Sequence, residues 1–153
     1  MAEKEMNQDK KSKIKAIREY IATCPYLHDG KIGVDYLENE IAYSIEPTPV
    51  SPQDVDFIDD SGIKQLAFIF ASRESYGQET IQNILNTEFY EDFSDWIEEN
   101  NFNGILPKID GIETIECLST GYAYQTGIDT ARYQIQMRIT YYKELKKKGG
   151  ILQ

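Results

Sequence analysis

The stretch ARYQIQMRITYY, Ala131 to Tyr142, constrains the fold more tightly than any other part of the chain. Ala131, Tyr133, Ile135, Met137, Ile139 and Tyr141 fall on one parity, with Arg132, Gln134, Gln136, Arg138 and Thr140 on the other. Successive side chains of a β-strand point to opposite sides, so strict alternation of this kind predicts a strand with its apolar parity buried. The polar parity is the open question. A row of Arg, Gln and Thr could meet water, a substrate, a nucleic acid or a neighbouring copy of the chain.

The rest of the chain supplies partners for that strand. Ser12 is placed to cap a helix whose Ile14, Ile17, Ile21 and Cys24 recur at three- and four-residue steps until Pro25 stops it, and that helix is expected to lie on a sheet. His28-Asp29-Gly30 reads as a turn. Ile41 to Ile45 alternates as a short strand ending by Pro47. Pro47, Pro49 and Pro52 then punctuate an acidic loop, EPTPVSPQDVDFIDDSG, that runs to Gly62 and is longer than compact domains usually carry. Within it Phe57 and Ile58, flanked by Asp59 and Asp60, either tuck back onto the body or anchor a neighbour.

Ile63 to Ala71 reads as a core strand, with Leu66, Phe68 and Phe70 on one side and Ala67 and Ile69 on the other. Gln78 to Asn86 turns helical, with Ile81, Ile84 and Leu85 on one side. Thr87 can cap a second helix carrying the stripe Phe89, Phe93, Trp96 and Ile97, which at helical spacing reads as core. Ile112 to Tyr124 is expected to be a strand joined to the opening stretch by a hairpin turn containing Gly127. The fold class that follows is α+β: a mostly antiparallel sheet of about four strands with helices packed on one face, leaving the even parity of the last strand outside. The expected division is a polar arm over 1–11, one domain over 12–145 and a lysine-rich tail over 146–153.

Charge and cysteine usage narrow the function classes. At 153 residues the chain is long enough for one domain that buries roughly 68 to 70% of its unfolded surface. Two cysteines are too few for a disulfide framework, and the start lacks the apolar run of a signal peptide, so a reducing cytoplasm is expected. No apolar run approaches the roughly 20 residues that span a bilayer, and no membrane partner is expected. A net charge of -10 argues against specific nucleic-acid binding, which rests on Lys and Arg displacing counterions from phosphate. The cations sit at the ends: Lys64 and Arg73 are the only ones between Ile32 and Pro107. Such segregation is either a set of solvated faces or suits a subunit that meets partners through oppositely charged surfaces.

Catalytic chemistry finds little to work with. The single histidine, His28, follows Cys24 by four residues, a spacing that would put thiol and imidazole on one helix face. Pro25 interrupts that helix, so the pair reads as a buried thiol and a turn histidine. The acid pairs Asp59-Asp60, Glu91-Asp92 and Glu98-Glu99 lack the alternate spacing of a calcium loop, which DVDFIDDSG imitates only loosely. Neither a phosphate-cradling glycine loop nor a nucleophile elbow is present. The expectation is no enzyme, no metal and no cofactor. A small enzyme or metal-binding protein built around His28 is the third-ranked alternative.

Several segments taken in order, IREYIATCPYLHDGKIGVDYL, YSIEPTPVSP, LAFIFASRESYGQETIQNI, FYEDFSDWIEENN and TARYQIQMRITYYKE, resemble a family of structural proteins of long-tailed bacteriophages of Gram-positive bacteria. This is the minor capsid or tail terminator group, found also in phage-tail-like bacteriocins, and the likeness runs from Ile14 to Glu144. It implies a virion subunit assembled in the host cytoplasm. That subunit forms a ring, usually a hexamer, which caps the head-proximal end of the tail tube and docks the head connector. Its partners would be its own copies, the tail tube protein and the connector protein, with DNA passing through the ring. Another neck component in head-tail joining is the alternative. Phe57, Ile58, Asp59 and Asp60, and the even parity Arg132, Gln134, Gln136 and Arg138, are the candidate subunit, tube or channel contacts, with ordinary solvent exposure the competing reading for the latter four.

Overall fold

The structure, a computed structural model, describes residues 13–27, 32–35, 37, 42–49, 62–77 and 80–144. A helix (α1) is described over 13–21. It is followed by strands β1 (Ile32–Val34), β2 (Ala42–Thr48) and β3 (Gly62–Ser75), then helix α2 (Thr80–Phe102), and then strands β4 (Ile112–Cys117), β5 (Tyr122–Thr126) and β6 (Thr130–Lys143). All six strands join one sheet in the order β1-β2-β3-β6-β4, with β5 also on β6. β1 runs parallel to β2 and every other pair is antiparallel.

This overturns the sheet of about four mostly antiparallel strands expected for the α+β class. Strand accounts for 45% of the described residues, in a mixed six-stranded sheet with two helices. Two features hid the extra strands. β1 is three residues long, too short to show alternation, and it pairs parallel to its successor without a hairpin to announce it. The expected strand from Ile112 to Tyr124 is two strands, both hydrogen-bonded to β6 along one edge. Between them Gly121 passes so close to Tyr90 that a Cβ there would lie 2.3 Å from the ring. The chain leaves the ladder at 118–121 to go around that ring, and only glycine fits the approach.

The centre of the sheet is the 14-residue pairing of β3 with β6, in unbroken register from Gly62↔Lys143 to Ser75↔Thr130. The odd parity of β6 is buried as expected, with Ala131, Tyr133, Ile135, Met137 and Ile139 joined to Phe68 and Phe70 of β3 in one core cluster. Both helices contribute to that cluster, α1 with Ile17, Tyr20 and Ile21 and α2 with Tyr90, Phe93 and Ile97. Phe70 and Phe93 stack at 4.8 Å between ring centroids. The Tyr90 hydroxyl, wholly buried, bonds Ser72 Oγ at 2.7 Å and the Tyr133 carbonyl at 3.3 Å. α1 is fastened through its C-terminal half, by Arg18 Nε donating to the Ile32 carbonyl at 2.7 Å and by the Tyr20 hydroxyl donating to the Ile105 carbonyl at 2.8 Å.

β2 runs through Pro47 to Thr48, past the expected stop. β1 pairs only as far as Ile45, so Pro47 lies where β2 is an edge and a missing N–H does no harm. The loop expected from Glu46 to Gly62 therefore shortens at both ends, since Gly62 already belongs to β3.

α2 departs from expectation in two ways. It is continuous through Thr87, whose hydroxyl bonds back to the Asn83 carbonyl at 3.2 Å in place of capping a second helix. Its inward line is Asn86, Tyr90, Phe93 and Ile97, at steps of four, three and four. Asn86, only 3% exposed, donates to the Ser75 carbonyl at 2.7 Å and accepts from Gln82 at 2.9 Å. With that line fixed, Ile81, Ile84 and Leu85 turn outward, at 74%, 49% and 51% exposure. The sequence places these three on one side of the helix, and that side is the exposed one.

Candidate functional site

The polar side of β6 divides into two halves. In the first, Arg132 reaches across β3 to Glu46 of β2 and makes a fork-to-fork pair, Nη2 to Oε1 at 2.7 Å and Nη1 to Oε2 at 2.9 Å. The diagonal crosses the sheet at the level of Ala71, which is wholly buried and small enough to let the guanidinium lie flat. Arg132 Nε donates to Gln134 Oε1 at 2.9 Å, and Gln134 Nε2 donates to the Tyr122 hydroxyl at 2.8 Å. Ser44 adds a hydroxyl donor to Glu46 at 2.7 Å, and the Tyr124 ring lies 5.6 Å from the guanidinium carbon. The Arg132 hydrogen bonds hold the Glu46 carboxyl below its ordinary range, partial burial opposing them and Ser44 assisting.

The second half is built more loosely. Arg138 lies directly across from Glu116 of β4 and donates Nη2 to its Oε1 at 3.1 Å, while Nη1 reaches Gln65 only at 3.4 Å. Its buried Nε has no hydrogen-bond partner. Between the two arginines Gln136 is exposed, its backbone joined to the crossing segment by the Leu118 N–H at 2.7 Å and the Ser119 hydroxyl at 3.1 Å. Thr140 closes the row with a 2.6 Å bond to Thr114.

The even parity is therefore not simply outside. Gln134 and Thr140 are buried and Arg132 and Arg138 half-buried, leaving Gln136 as the one exposed member of the five. The cover comes from Tyr122 on β5 and from long side chains lying along the sheet, and beside it Leu37 packs on Ala42, Ala71 and Ile69. The two arginines each face a carboxylate, so the row presents hydrogen-bonding groups with its charges already matched.

Phe57, Ile58, Asp59, Asp60 and His28 lie outside the described residues, as do the arm over 1–11 and the tail over 146–153. Cys24 is buried at the end of the α1 stripe, and burial pushes its thiol up. Burial also pushes the Cys117 thiol up to about 11, against a hydrogen bond with Ser94. Both favour the protonated thiol at neutral pH. Among the described residues no three of His, Cys, Asp and Glu converge as metal ligands. No helix of the described residues is long and apolar enough to cross a membrane.

Sequence reasoning missed Glu46, Glu116 and Tyr122 as members of the network. Glu46 was assigned to the loop because three prolines follow it closely, and pairing across an intervening strand leaves no local signal. Comparison with known proteins adds nothing to this geometry: no protein-family model matches the sequence, and no curated protein does either.

Proposed function

We propose that the chain is a virion structural subunit, a tail terminator that assembles as a ring on the head-proximal end of a tail tube and docks the head connector. The reading starts from the ordered resemblance of its segments to that phage family. The structural observation that supports it is the outward apolar row of Ile81, Ile84 and Leu85 on α2, which a lone subunit leaves in water. Contiguous exposed apolar side chains of this kind mark surfaces that meet another protein. The half-open polar row around Gln136 and Arg138 offers a second surface, and a ring subunit needs several: two neighbours, the tube and the connector. The net charge of -10 suits a ring through which DNA passes without adhering. On this reading the role is mechanical and calls on no cofactor.

Deleting the gene tests it. Tails should grow to irregular lengths and fail to join heads, as seen by electron microscopy of lysates. Tails of normal length attached to heads would overturn the proposal, and free tails of normal length would transfer the protein to another neck position.

A further inference from the structure

The outward stripe of α2 has two chemistries in sequence. Ile81, Ile84 and Leu85 occupy its first turns, and Glu88, Glu91, Asp92, Asp95, Glu98 and Glu99, all exposed, occupy the rest. Steps of three and four residues from Ile81 through Leu85, Glu88, Asp92 and Asp95 to Glu99 place both parts on one side of the helix. The helix contains neither Lys nor Arg, and the carboxylates cluster towards its C-terminal end, where the helix dipole favours cations. None of the six has a cationic partner among the described residues. The stripe is thus an acidic strip leading to an apolar one, and its carboxylates meet no cation among the described residues.

The same chain carries the complement. After Glu144 the sequence reads LKKKGGILQ, three consecutive lysines followed at short distance by Ile151 and Leu152. In extended chain, Lys147 to Ile151 spans about 14 Å. Leu85 to Asp92 or Asp95 along a helix spans about 10 to 15 Å. Laid antiparallel to α2, such a segment sets lysines on the carboxylates and its two apolar residues on Ile81, Ile84 and Leu85.

The segment cannot come from the same molecule. The apolar end of the stripe lies by the start of β6, since Asn83 donates to the Gly77 carbonyl at 2.8 Å and the Tyr76 N–H to the Asp129 carbonyl at 2.9 Å. The segment leaves from the other end of that 14-residue strand, about 43 Å away. Ile151 is seven residues beyond Glu144, a reach of at most about 25 Å.

We infer that the outward stripe of α2 is the seat for residues 145–153 of a second copy of this chain. The inference rests on the ring reading above and names the contact that would build the ring. It joins two different surfaces, so repetition makes a head-to-tail chain of subunits that closes when the rotation allows.

Sedimentation velocity at low salt on three full-length variants tests it, with circular dichroism confirming that each is folded. The first is E91K/D92K/D95K, the second K146E/K147E/K148E and the third I151S/L152S. The wild type should associate, and each variant alone should associate at least tenfold more weakly. An equimolar mixture of the two charge-reversed chains should recover association, because each then meets a complementary partner. Association unchanged in the variants, or no recovery on mixing, would overturn the contact while leaving the ring reading to the tail-length experiment. A wild type that stays monomeric would overturn it too and assign the stripe to a different protein.

Discussion

The two arginines of the polar row occupy the same side of the same strand, face a glutamate each, and are held in different ways. Arg132 and Glu46 keep 14% and 23% of their side-chain surface, while Arg138 and Glu116 keep 28% and 39%. The first pair is bidentate, spans three strands and engages all three guanidinium nitrogens. The second is a single bond across one strand pair, with a long contact to Gln65 and an idle Nε. What separates them is what lies beneath and beside: small Ala71 and Ser44 let Arg132 lie flat, and Tyr122 seals its end. The lesson is that an Arg–Glu pair can fasten a sheet or furnish a surface, and burial decides which.

The largest test of that difference is removal of each guanidinium. Arg132→Ala leaves Glu46 partly buried with Ser44 as its remaining donor, and loss of one partner from such a pair costs about 3 kcal/mol. Arg138→Ala should cost under about 1 kcal/mol, the range of half-exposed pairs. Denaturant unfolding measures both. Equal losses would abolish the distinction between the halves.

Acidity sharpens the comparison at Glu46. Its folded-state carboxyl sits below the ordinary value because Arg132 hydrogen-bonds the charged form. The stabilisation this brings is therefore complete above the unfolded pKa of about 4.3 and is lost as pH falls through the lower folded value. The stability gap between wild type and Glu46→Gln should be widest above about pH 5 and should shrink in acid. A gap that does not change with pH would show that the ion pair contributes nothing to folding.

Next in size are the two glutamines between the arginines. Gln134 is 4% exposed and bonded on both sides, so Gln134→Ala should cost about 1 to 2 kcal/mol through the unpaired groups left on Arg132 and Tyr122. Gln136 is exposed and contributes only backbone bonds to the described structure, so Gln136→Ala should stay within about 0.5 kcal/mol. A thermal melt of each variant suffices, and a larger loss at Gln136 would reverse the assignment.

How much of this could be read beforehand depends on the range of the interaction. The odd parity of β6 was legible because burial of every second residue is written into twelve consecutive letters. The core strand around Phe68 and Phe70 and the stop of α1 before Pro25 were legible for similar local reasons. The rotation of α2 was not. Ile81, Ile84 and Leu85 have the same spacing as a core stripe, and what turns them outward is Asn86 finding the Ser75 carbonyl and Tyr90 finding Ser72, partners chosen by the tertiary fold. The site was half legible: the row Arg132 to Arg138 was named from its own letters, whereas Glu46 and Glu116, which decide what each arginine does, come from other strands.

The smallest effect separates the halves most finely, because it holds charge constant and changes only geometry. Lysine keeps the positive charge but offers a point donor in place of a planar fork. Arg132→Lys forfeits one arm of the bidentate pair and the Nε bond to Gln134, so it should still lose about 1 to 2 kcal/mol despite the retained charge. Arg138→Lys gives up a single bond to Glu116 that an ammonium can replace and a 3.4 Å contact of little strength. It also removes the buried Nε–H that has no acceptor, a group that weakens the fold while it stays unpaired. The change should therefore lie within about 0.5 kcal/mol of wild type. Paired chemical denaturation of the two lysine variants gives the comparison directly. A loss at Arg138→Lys matching that at Arg132→Lys would mean that the Arg138 fork is engaged as fully as its counterpart, and the open half of the row would have to be counted as part of the scaffold.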